Sequence, residues 1–263
     1  MTYGLAIKVN QGLVFCADTR TSAGVDDIRT YNKVHTFEFP GERVLVLVSA
    51  GNLATTQSVV TQLQRDLDNS APVNLRTVGH MYDAAEYVGQ ALVKAERDSS
   101  PLTPGSTVNF GVTLILGGQI RGEAPTLYLI YPEGNCISTS PESPFLQIGE
   151  LKYGKPILDR VIRPHVSLED AARCALVSMD STMKSNLSVG PPLDLCLIRT
   201  DALAITKKMR FDVDTPMYAE ISKGWGQQLL NAFGALPRFE WEPQPPQSFQ
   251  QAAQQHQTKQ QQQ

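Results

Sequence analysis

The chain has 263 residues, a formal net charge of −3, and 41% hydrophobic against 19% charged residues. That balance is ordinary for a globular protein with room for one large domain or two small ones, and it permits a substantial core. The slight acidity gives no electrostatic reason to bind nucleic acid or an anionic membrane, and no basic stripe of the nucleic-acid-binding kind is present. No apolar run approaches the roughly 20 residues of a membrane span. The opening MTYGLAIKVN lacks the basic flank, apolar stretch and cleavage site of a signal peptide, so the expected location is the cytoplasm. Cys16, Cys136, Cys174 and Cys196 sit among apolar neighbours without C-x-x-C spacing and read as buried free thiols rather than zinc ligands or disulfides.

In chain order, residues 3–9 and 12–18 read as strands joined across Asn10-Gln11-Gly12, and 33–39 and 43–49 repeat the pattern across Pro40-Gly41. Two amphipathic helices follow over 52–67 and 81–97; Leu53, Val60, Leu63 and Leu67 line one face of the first. Strands return at 109–116 and 126–131, with shorter ones at 136–139 and 145–148. Helices are expected at 155–163 and 167–183, the second opening on a Ser167-Leu168-Glu169-Asp170 capping box with Asp at its third position. A late strand (193–199) and a final helix (217–233) complete the pattern. Strands, helix pair, strands, helix pair is the order of an α+β, four-layer αββα sandwich: two mainly antiparallel sheets flanked by helix pairs. Residues 1–237 form this domain. The Pro/Gln-rich stretch 238–263 cannot bury a core and is expected to be a disordered tail.

Thr2 begins the chemistry. Removal of Met1 would leave one residue carrying both a nucleophilic hydroxyl and an α-amine that titrates at about 7.7–8.0. Alone this signal is weak, because many chains have Thr at position two. Asp18 ends the second strand, and hairpin pairing brings it back beside Thr2. Lys33 opens the next strand. The run Val46-Leu47-Val48-Ser49-Ala50-Gly51-Asn52 passes from strand through Gly51 into a helix, a junction whose N–H groups can stabilise an oxyanion. Each residue has a bland reading: a turn acid, a solvated lysine, a glycine demanded by a tight turn. Their order and frame behind an N-terminal Thr favour the joint reading.

With these residues in place, the sequence resembles the proteasome β-subunit superfamily of N-terminal-nucleophile hydrolases, and within it the bacterial Anbu peptidase family. The segments that carry the resemblance are GLVFCADTRTSAGVDDI (12–28), Lys33-Val34-His35, RVLVLVSAGNLATTQ (43–57), IGELKYGKPILDR (148–160) and STMKSNLSVGPPLDL (181–195). The resemblance implies Thr2 as nucleophile, Asp18 and Lys33 as its catalytic partners and Gly51 as the oxyanion-hole glycine. It places substrate backbone along Thr21 and Ser22 and a side-chain pocket near Ser49 and Leu53. The superfamily's Ile-Gly-Ser-Gly pattern is here Ile148-Gly149-Glu150, so Ser185 and Ser188 are the remaining hydroxyls for supporting the α-amine.

The implied reaction is acyl transfer, with no cofactor and no metal. The proton from Thr2 goes either to the α-amine or to Lys33. Beside an ionised Asp18, Lys33 is expected to hold its proton more firmly than usual, which favours the amine. His35, His80, His165 and His256 lie in unrelated contexts, and neither a Gly-x-Ser-x-Gly elbow nor a His-Glu-x-x-His motif occurs.

The resemblance further implies a homo-oligomer, a closed ring or an open helical washer, acting on a peptide or protein substrate. No phosphate-loop motif is present, so ATP-driven unfolding would require a separate partner. Two alternatives stand beside this reading: an amidase or transpeptidase acting on a small or isopeptide-like amide, and a non-catalytic scaffold subunit.

Overall fold

The structure, a computed structural model, describes residues 2–22, 28–99 and 109–242. The expected tail falls largely on 243–263, outside the described residues. The strands are β1 (Tyr3–Val9), β2 (Gly12–Asp18), β3 (Arg20–Ser22), β4 (Ile28–Thr30), β5 (Val34–Phe39), β6 (Arg43–Gly51), β7 (Val112–Ile120), β8 (Thr126–Ile130), β9 (Cys136–Ser138), β10 (Phe145–Gly149), β11 (Leu193–Arg199) and β12 (Lys207–Phe211). The helices are α1 (Leu53–Asp68), α2 (Met81–Ser99), α3 (Lys155–Val161), α4 (Leu168–Ser185) and α5 (Pro216–Gly234). Contacts divide the chain into two compact units, Met1–Tyr218 and Ala219–Gln263. In the second, Leu229, Leu230 and Phe233 on α5 are exposed.

The first unit is the four-layer sandwich. One sheet has the order β10-β1-β2-β11-β12 and the other β5-β6-β7-β8-β9, both antiparallel throughout; β3 and β4 pair separately. Alternation along the strands sends alternate residues to opposite faces. Ala6, Phe15, Val46, Ile115, Leu127 and Ile148 meet between the sheets. Leu45, Leu47, Leu114 and Leu116 face the other way, onto Val59 and Leu63 of α1 and Val88 and Leu92 of α2. Helix α4 covers β1, β2 and β11, with α3 against α4.

Local signals set the helix starts. The Asn52 side chain accepts the Thr55 N–H at 3.1 Å, and the Ser167 hydroxyl accepts the Asp170 N–H at 3.0 Å, each satisfying an N-terminal donor left open by the helix. Strand β7 begins later than expected and runs on to Ile120. Gly117 and Gly118, just past the expected end at 116, pair with Val46 and Leu45 on one side and Leu127 and Thr126 on the other. Pairing on both edges outweighs their poor strand propensity. Strands β3, β4 and β12 lack a readable alternation and exist because a neighbouring strand takes their hydrogen bonds. The thiols are free; Cys16, Cys174 and Cys196 are buried, whereas Cys136, on edge strand β9, is only half-buried. Among the described residues, no helix is long and apolar enough to cross a membrane.

Candidate active site

Thr2 stands just ahead of β1, between two neighbouring strand ends. On one side the register pairs Gly4 with Ala17, which leaves Asp18 alongside Tyr3. The Tyr3 N–H donates to Asp18 Oδ1 at 3.0 Å, and the Gly190 N–H donates to Oδ2 at 3.3 Å. Lys33 Nζ donates to the same Oδ1 at 2.9 Å and to the Arg20 carbonyl oxygen at 2.6 Å. The Lys33 backbone is held in turn by the Ser49 N–H, 3.1 Å from its carbonyl oxygen. Asp18 is fully buried and Lys33 is 5% exposed.

Burial is the largest influence on both charges. It pushes the Asp18 carboxyl above its ordinary value, against the opposing pull of Lys33 and of the Tyr3 and Gly190 N–H groups. It pushes Lys33 below its ordinary value, against the pull of Asp18. The expectation of a firmly held Lys33 proton is therefore corrected. A neutral Lys33 requires strong desolvation, and the burial of this side chain supplies it.

The other sheet contributes Gly51. Hydrogen bonds alternate along an antiparallel strand. The Asn52 N–H points to Gly111, just before β7, and the Ser49 N–H to Lys33 on the β5 side. The Gly51 N–H therefore points to the β5 side as well, beyond the residue where β5 begins. Gly51 has φ +128, and a Cβ there would lie 2.3 Å from the Gly111 carbonyl oxygen, so only glycine fits.

On the far flank β10 ends at Gly149, with φ +81, and the next N–H, from Glu150, donates to the Thr2 carbonyl oxygen at 2.8 Å. Thr2, Lys33, Gly51 and Gly149 line one cavity of about 550 Å³.

Residues 2–198 match the family described as Proteasome subunit. The structure is similar to Anbu (ancestral beta-subunit) from Yersinia bercovieri, with 45% identity and a TM-score of 0.85, over 90% of this chain and 99% of that one. The chain belongs to the proteasome subunit family, as an Anbu-type member. It is also similar to the Anbu complex from Pseudomonas aeruginosa, solved as a helical assembly, at 43% identity and TM-score 0.85 over 94% and 99% of the two chains. A more distant relative is a proteasome subunit beta from Haloquadratum walsbyi, 23% identical over 80% of this chain and 79% of its own length.

In this Anbu-type chain the cavity brings together Thr2, Thr21, Lys33, Ser49, Gly51 and Leu53, with Asp18 directly behind Lys33. Ser22 closes β3 opposite Ile28, and Ser185 lies exposed at the end of α4. The Ser188 N–H is tied to Asn186 Oδ1. Neither Ser185 nor Ser188 lines the cavity. Sequence reasoning missed the Gly190 N–H on Asp18 and the cavity wall from Gly111, Thr113, Tyr131 and Leu151. It also missed Gly149, although a glycine directly after an apolar run was a signal that could have been used.

Proposed function

We propose that the chain is a threonine-type endopeptidase in which Thr2, exposed by removal of Met1, is the nucleophile. The observation that carries this reading is the buried Lys33–Asp18 pair opening onto the cavity that Thr2 and Gly51 share. Thr2 Oγ attacks the peptide carbonyl while its proton passes to Lys33, whose burial favours the neutral amine. The carbonyl oxygen gathers negative charge beside the Gly51 N–H, a donor already in place before the charge develops. Collapse of the tetrahedral intermediate breaks the C–N bond, and the leaving amine takes the proton. Water then attacks the Thr2 ester, releasing the acid and restoring the hydroxyl. Asp18 orients Lys33, as its bonds to Lys33, Tyr3 and Gly190 leave its carboxylate little freedom. The likeness to a relative solved as a helical assembly supports an assembly of identical copies, which would confine the site.

The test pairs intact mass with hydrolysis of a fluorogenic peptide panel. The expected result is protein lighter by one methionine, active on peptides and inactivated by Thr2→Ala. Retention of Met1 throughout, or full activity in Thr2→Ala, overturns the proposal. Cleavage of γ-linked amides alone transfers the nucleophile to an amidase.

A further inference from the structure

A second buried acid lies beside Thr2. The register that pairs Gly4 with Ile148 and Tyr3 with Gly149 brings Thr2 opposite Glu150, whose N–H holds the Thr2 carbonyl oxygen at 2.8 Å. The Glu150 residue is 7% exposed. Its Oε1 accepts the Lys152 N–H at 3.1 Å and its Oε2 accepts Asn186 Nδ2 at 2.9 Å.

Among the described residues no Lys, Arg or His side chain is bonded to Glu150; Lys152, two residues on, has an exposed side chain. Lys33 is bonded to Asp18, Lys184 on α4 to Asp180, and Arg210 on β12 to Asp194. The Arg20 guanidinium lies over Gly190 and donates to the Leu187 carbonyl oxygen at 2.9 Å. The carboxylate is buried with two N–H donors and no bonded cation. Removal of Met1 creates a cation on the residue directly opposite.

We propose that Glu150 is a positioning residue whose carboxylate is the counter-ion of the Thr2 α-ammonium, holding that amine charged and anchored. This rests on the reading of Thr2 as the processed nucleophile. Asp18, bonded to the Tyr3 N–H, is the other carboxylate near this amine, and it is intact in every Glu150 variant. An amine held as ammonium leaves proton acceptance to Lys33.

The experiment measures the amine itself. Intact enzyme is labelled with trace acetic anhydride across a pH series, and the N-terminal peptide is quantified by mass spectrometry; only the neutral amine reacts. In Glu150→Gln the labelling midpoint falls by about one pH unit or more, the size of effect that one neighbouring opposite charge exerts. Asn186→Ala removes a bond to the carboxylate but keeps its charge, and leaves the midpoint in place. Glu150→Met, close in length and without an amide to oppose Asn186, replaces the Gln variant if that one does not fold. An unchanged midpoint without the carboxylate, or an equal fall in Asn186→Ala, overturns the assignment of Glu150 alone. Protein that retains Met1 has no Thr2 amine and overturns the nucleophile reading together with this one.

Discussion

Gly149→Ala is a sharp test of how the Thr2 strand end is held. The added Cβ would lie 2.0 Å from the Thr2 carbonyl oxygen and 2.8 Å from its carbonyl carbon, where real contacts are about 3 Å or more. The residue also sits at φ +81, which costs an alanine about 1–2 kcal/mol. The clash is with backbone, so Thr2 must move by on the order of 1 Å and the 2.8 Å bond from the Glu150 N–H is lost. That bond adds about 0.5–1.5 kcal/mol, for a total destabilisation of about 1.5–3.5 kcal/mol.

A displacement of that size at a nucleophile costs about 10²-fold in rate, or about 2.7 kcal/mol in barrier. The control is Gly122→Ala, at φ +88 with nothing within 4 Å of the new Cβ. It carries the backbone strain without the clash and is expected to lose about 1–2 kcal/mol of stability with unchanged kcat. Urea unfolding and peptide hydrolysis read the two effects separately. Equal activity in the two variants would refute the argument that Gly149 positions Thr2.

Two further outcomes follow from the buried polar groups. Lys33→Met is expected to reduce kcat by about 10²–10⁴-fold and to leave Asp18 buried without a cation, at a cost of about 3–5 kcal/mol near neutrality. Burial already raises the Asp18 carboxyl, and loss of Lys33 raises it further. Since the folded state then binds the proton more tightly than the unfolded one, stability is retained at low pH and lost as pH rises through the folded-state value. The variant's urea midpoint, relative to wild type, should therefore fall as pH rises above about 4, the unfolded carboxyl value; a flat difference contradicts the burial argument.

Tyr3→Phe removes a hydroxyl that accepts Gln147 Nε2 at 2.6 Å and meets Ser178 Oγ at 2.8 Å. It is expected to cost about 1–3 kcal/mol, because the buried partners lose a bond, and to lower kcat more than it changes KM. Unaltered stability in urea would show that these bonds do not hold the start of β1.

The layer order was legible because period-2 and period-3.6 patterns recur in long segments, and such periodicity survives without tertiary information. The β1–β2 hairpin made the proximity of Thr2 and Asp18 readable, since a tight turn determines register locally. Lys33 and Gly51 were readable as strand-end residues, and the family resemblance joined them to the same site.

Tertiary structure decided the rest, for reasons of distance and dielectric. The Gly190 N–H reaches Asp18 from far along the chain, and Gly149 meets Thr2 only because β10 pairs with β1. Strand β12 has no pattern of its own and forms because β11 offers an edge. The direction of the Lys33 shift could not be read from charge order, because it depends on how completely water is excluded. Sequence determined which groups could meet; packing determined how much solvent they lose, and burial sets the energy of a charge.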